Sequence, residues 1–137
     1  MKNSNITKKS SGNLTEALYK VYDLGERTGI PFVLLNDTAR QVYESKPLER
    51  EIYAGAKISE FTPQRIRDLK EILKRDHAEP VIGDKEIKFE YMGAKVHLIF
   101  IKNKLEFFKD TNLKFYNVFE FNLPNPFEEY WKVKEQV

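Results

Sequence analysis

Glu49 and Glu51 stand two positions apart in a stretch, Leu48 to Ile58, that reads as a β-strand with a glycine inside it. On a strand, residues i and i+2 face the same side, so two such carboxylates can share a hard divalent cation such as Mg²⁺. A third carboxylate, Asp37, lies earlier in the turn Asn36-Asp37-Thr38. Convergence of Asp37, Glu49 and Glu51 would make a weak metal site. The triplet Glu49-Arg50-Glu51 reads equally well as a charged strand end. His97 is the other candidate, a histidine inside the apolar run Val96 to Ile101. Such a histidine most often packs, with its ring nitrogens finding local partners. His77, beside Asp76 and Glu79, is expected in a solvent-exposed loop. The chain has two histidines and no cysteine, which leaves no disulfide, thiolate zinc site or cysteine nucleophile. It also lacks a phosphate-binding P-loop, a dinucleotide glycine fingerprint and a nucleophile elbow.

The elements that must position these residues are read from periodicity and caps. Leu14, Ala17, Leu18, Val21 and Leu24 recur at helical spacing behind a capping-box-like start at Asn13 and Glu16, predicting a helix that ends at Thr28-Gly29 before Pro31. Ile30 to Leu35 reads as a short buried strand, and Thr38 to Ser45 as a short helix stopped ahead of Pro47. Thr62-Pro63 opens a further helix, with Ile66, Leu69, Ile72 and Leu73 on its buried face. Its charges, Arg65, Arg67, Lys70, Lys74 and Arg75 against Asp68 and Glu71, read as a solvated surface. Residues 86–101 read as a hairpin turning at Met92-Gly93, whose second strand is apolar on both faces and so belongs mid-sheet. Further strands are expected at Leu105 to Phe108 and at Phe115 to Phe121, and a last helix is capped by Asn125.

At 137 residues, with 41% hydrophobic and 32% charged residues, the chain has the size and balance of one soluble globular domain. Residues 1–12, polar and basic, are expected to form a flexible tail ahead of a single domain over 13–137. They have no apolar signal segment, no stretch suits a membrane span, and the missing cysteines fit a cytoplasmic setting. A net charge of +2 does not indicate nucleic acid. The aromatic-rich carboxy-terminal region, Phe107 to Trp131, either closes the core or offers a stacking or protein-binding surface among Lys109, Lys114 and Lys132.

The order helix, strand, turn, short helix, strand, helix, hairpin resembles the minimal nucleotidyltransferase fold of the DNA polymerase β superfamily. The stretch GIPFVLLNDTARQVYESKPLEREIYAGAK looks most like LicD-type phosphocholine transferases, in which an apolar strand leads into a glycine-containing turn and acidic residues precede a glycine. The resemblance covers residues 14–101 and implies an α/β (α+β) fold, a small mixed β-sheet with helices packed on it. It implies a nucleotide or phosphate-containing ligand near Asn36, Thr38, Tyr53 and His97 and, if the site is active, Mg²⁺ as cofactor; the carboxylates this sequence then offers are Glu51 and the shifted Glu49, with Asp37 assisting. Such transfer rests on positioning and on charge neutralisation by the metal.

Against that pattern, the paired aspartates counted back from Gly55 fall on Glu51 and Tyr53, and the third carboxylate on His97, a poor ligand for a hard cation. The turn glycines are replaced by Asn36-Asp37, with Thr38 kept. Two functions therefore stay open. One is a catalytically impaired relative that binds a ligand or a protein partner through the ancestral cleft. The other is an active Mg²⁺-dependent nucleotidyl- or phosphoryl-transferring enzyme with a drifted site. A silenced site carries one geometric expectation, that Tyr53 and His97 meet on one face of adjacent strands.

Overall fold

The computed structural model describes the backbone of residues 2–43, 48–102, 111–116 and 119–124, and the side chains of 14–35, 37–42 and 48–102. Helix α1 (Lys2–Thr28) is followed by β1 (Val33–Leu34), α2 (Asn36–Tyr43), β2 (Glu51–Lys57) and α3 (Pro63–Arg75). Strands β3 (Val81–Ile82), β4 (Glu86–Tyr91), β5 (Ala94–Ile101), β6 (Thr111–Tyr116) and β7 (Phe119–Pro124) complete it. The strands form one mixed sheet in the order β3-β4-β5-β2-β1-β7-β6. The α+β class expected from the sequence is the one found, and the three segments built on Ile30–Leu35, Leu48–Ile58 and Val96–Ile101 share the sheet.

Local chemistry accounts for most boundaries. Thr62 caps α3, its hydroxyl accepting from the Arg65 N–H at 3.3 Å, with Pro63 in the first turn. At its other end the Ala78 N–H donates to the Leu73 carbonyl and the His77 N–H to the Lys74 carbonyl. That is a Schellman closure, with His77 left-handed at φ 61°. Helix α1 closes on Gly29 at φ 85°, whose N–H donates to the Gly25 carbonyl.

Several boundaries differ from expectation, among them the start of α2, which is Asn36 and not Thr38. Helix α1 begins at Lys2, not Asn13, so residues 2–12 carry helical backbone where a tail was expected. No proline interrupts that stretch, and extending a helix already held by 14–28 needs no new nucleus. Strand β1 keeps only two residues because Pro31 has no N–H and the Phe32 N–H donates locally to the Ile30 carbonyl. Strand β2 starts at Glu51 because the Glu49 N–H is held by the Gln41 side chain, outside any ladder. The single strand expected at Phe115–Phe121 is replaced by the antiparallel pair β6 and β7. The strand expected at Leu105–Phe108 and the helix at Asn125 lie outside the described residues.

The sheet is sided. Ile52, Ala54 and Ala56 of β2, Val96, Leu98 and Phe100 of β5, and Ile87 and Phe89 of β4 are buried in one cluster. The α1 stripe Leu14, Ala17, Leu18, Val21 and Leu24 joins it, with Leu69, Ile72 and Leu73 of α3 and Ala39 and Val42 of α2. Alternation then sends Glu51, Tyr53 and Gly55, Lys95, His97 and Ile99, and Glu86, Lys88 and Glu90 to the opposite face. There Val33, Leu35, Ile99 and Ile101 make a smaller apolar cluster against which Tyr53 packs. Gly55 belongs to this second face by necessity. A Cβ at that position would stand 2.8 Å from both the Ile99 carbonyl oxygen and Leu35 Cδ1, closer than packed atoms tolerate.

Candidate functional site

The parallel pairing of β2 with β5 sets Glu51 opposite Lys95 and Tyr53 opposite His97, and the antiparallel pairing of β5 with β4 sets His97 opposite Lys88. The Tyr53 and His97 rings consequently stack, centroids 4.6 Å apart and 10° from parallel. Those two residues meet on one face of adjacent strands, as expected.

Both nitrogens of His97 face carboxylates. Nε2 lies 2.8 Å from Glu51 Oε1 and Nδ1 lies 2.8 Å from Glu86 Oε1. Because the two nitrogens sit on different edges of the ring, the carboxylates flank the imidazole and do not converge on a common point. With both carboxylates ionised, every contact is donor to acceptor only when both ring nitrogens carry hydrogen. Glu51 Oε1 also accepts from the Tyr53 hydroxyl at 3.1 Å. Hydrogen bonds from His97, then from Tyr53, hold the Glu51 carboxyl below the usual carboxylate range. Burial and then the adjoining Glu51 carboxylate push the Tyr53 phenol up to about 12.

Thr38 is fully buried, and its hydroxyl accepts the Tyr53 N–H at 2.8 Å. The Leu35 N–H donates to the Tyr53 carbonyl, so β1 covers one backbone group of Tyr53 and Thr38 covers the other. That use ties α2 to β2 and occupies the hydroxyl expected to contact phosphate. Asn36 opens α2 and Asp37 is exposed in its first turn. The turn needs no left-handed residue, since among the described residues only His77 and Met92 have positive φ without being glycine. The sharp strand-to-helix transition is closed instead by the Ala39 N–H donating to the Leu35 carbonyl.

The expected metal arrangement is not formed. Among the described residues no three side chains of His, Asp or Glu are grouped to hold an ion. Glu49 precedes β2 and is exposed, while the Glu51 oxygen is already taken by Tyr53 and His97. The site residues present therefore do not fit Mg²⁺ as the resemblance implied.

Glu86 escaped the sequence reading, although a signal for it existed. A two-residue turn at Met92-Gly93 fixes the hairpin register, and that register places Glu86 one pleat from the residue opposite His97. Compared with protein-family models and with curated proteins, the sequence matches none.

Proposed function

We propose that the protein is a catalytically silent nucleotidyltransferase-like binding protein that takes a nucleotide or other phosphate-bearing small molecule beside the Asn36-Asp37-Thr38 turn. The reading is supported above all by the Tyr53–His97 stack with Glu51 and Glu86 on either edge of the imidazole. In an active relative this face would carry carboxylates that repel one another unless a metal lay between them. Here a phenol and an imidazole replace that arrangement with one that is satisfied internally. The order of elements, with β2 antiparallel to β1 and parallel to β5, is compatible with the resemblance. No helix among the described residues is long and apolar enough to cross a membrane. A cytoplasmic setting belongs to the same proposal.

The test is a titration of isotopically labelled protein with ATP, with and without Mg²⁺, read by amide chemical shifts. Expected are saturable shifts at residues 36–38, 53 and 97 that are equal in both series, with no turnover of the nucleotide. No response up to roughly 10 mM, a limit near 3 kcal/mol of binding, would remove the binding reading. Mg²⁺-dependent turnover abolished by Glu51→Gln would replace it with the active transferase.

A further inference from the structure

We propose that the cleft at the β3 end of the sheet is a separate binding site for a small zwitterion, an α-amino acid with an apolar side chain. The cleft is lined by His77, Glu79, Val81, Lys88, Phe89, Glu90 and Lys95 and has a volume of about 380 Å³. That lies at the small end of the pockets that hold small molecules. Its floor is the outer end of the sheet face that carries His97, because Val81 is opposite Lys88, and Glu90 opposite Lys95. Its wall is the segment leaving α3, where His77 and Glu79 sit.

The charges decide the ligand class. Lys88 and Lys95 are exposed, as are Glu79 and Glu90. Among the described residues no hydrogen bond or close ion pair joins a side chain of the four, although Lys95 also acts on the charge of Glu51 across the ladder. An anion drawn by the lysines meets two carboxylates, and a cation drawn by the glutamates meets two ammonium groups. A neutral molecule with both charges avoids either penalty. Glu90 and Lys95 face each other directly across the ladder, about 5 Å apart at Cβ, which suits an ammonium and a carboxylate on one carbon. Val81, 60% exposed, offers apolar surface for the ligand's side chain.

His77, the left-handed closing residue of α3 at φ 61°, sets the direction in which the chain leaves that helix along the cleft wall.

The experiment titrates labelled protein with leucine, with isovalerate and with isopentylamine, the last two each keeping one of leucine's charges. Leucine is expected to give saturable shifts at His77, Glu79, Val81, Lys88 and Lys95, with both single-charge analogues at least about tenfold weaker. Lys95→Gln and Glu90→Gln, both at exposed positions, are each expected to weaken leucine by a similar factor while amide shifts outside residues 77–95 show the fold retained. The inference is overturned if leucine gives no saturable shift up to roughly 20 mM, if either analogue binds as tightly, or if the two variants leave leucine binding unchanged. A leucine response confined to 77–95 with no ATP response upholds this site and removes the previous reading. The converse pattern does the opposite.

Discussion

Glu51 carries two opposing demands: its side chain is about half exposed, at 53%, yet its charge is held by His97 and Tyr53. A carboxyl lowered in the folded state stabilises the fold above its ordinary value of 4.5. That stabilisation is lost as pH falls through the lower, folded value. The urea midpoint of the native chain should therefore fall more steeply than that of Glu51→Gln as pH drops from 4.5 towards the lower, folded value, and the two should run parallel below it. Equal slopes would mean that Glu51 is solvated in the folded protein. Tyr53 has the opposite sign. Its phenol ionises near 10 when unfolded and at about 12 when folded, so stability should decline as pH rises across that interval. Tyr53→Phe should lessen that decline, to which the raised Lys20 ammonium also contributes, and remove one late step from the phenolate absorbance titration. Neither partner of His97 was obvious in isolation, because a histidine in an apolar run signals burial without naming what satisfies it. The stack with Tyr53 was expected because the nucleotidyltransferase resemblance assigns both residues to one face of adjacent strands, and the β2–β5 register sets them opposite each other.

Between elements, the decisive joints are single hydrogen bonds and single backbone conformations. Thr38 joins α2 to β2 through the Tyr53 N–H. Thr38→Val keeps the shape but leaves that buried donor without its acceptor, which should cost about 1–3 kcal/mol. Thr38→Ser should recover most of the loss, and chemical denaturation of both variants checks the pair. Had Thr38 an unengaged hydroxyl, the two substitutions would behave alike. At the exit of α3, His77→Gly relieves a left-handed residue and should stabilise by roughly 0.5–1 kcal/mol. The same substitution removes the imidazole from the wall of the proposed cleft and should weaken leucine binding, so stability and affinity would move in opposite directions. Cap chemistry made α3 readable to the residue, because Thr62 and Pro63 act on their immediate neighbours. The start of β2 was not readable in that way. It depends on Gln41, eight positions away, capturing the Glu49 N–H, and with Glu49 outside the ladder the paired-carboxylate expectation lost its geometry.

At the scale of the whole molecule, the sheet unites elements distant in sequence, and its strength is uneven. Strands β2 and β5 are paired from Glu51↔Lys95 through Lys57↔Ile101, with Gly55 allowing the close approach at the centre. Gly55→Ala should cost about 1–3 kcal/mol or more through overpacking against the Ile99 carbonyl and Leu35. A melt with no change would show that β2 can shift to admit the methyl group. The general α+β class was legible because the apolar stripe of α1 and the two-sided apolarity of β5 are whole-molecule signals. The continuation into β7 and β6 was not, since β1 shows nothing in its own residues of a parallel partner near position 122. That partnership has its own consequence. Between the four-strand block β3-β4-β5-β2 and the β6–β7 hairpin stands a strand of two residues, joined to β7 at Val33↔Asn122. A continuous ladder transmits cooperativity only as well as its narrowest rung, so opening of the terminal hairpin should be uncoupled from global unfolding. Native-state hydrogen exchange should then separate two populations. Amides of β2 and β5 should exchange only with full unfolding, and those of β6 and β7 at a lower free energy that is insensitive to Gly55→Ala.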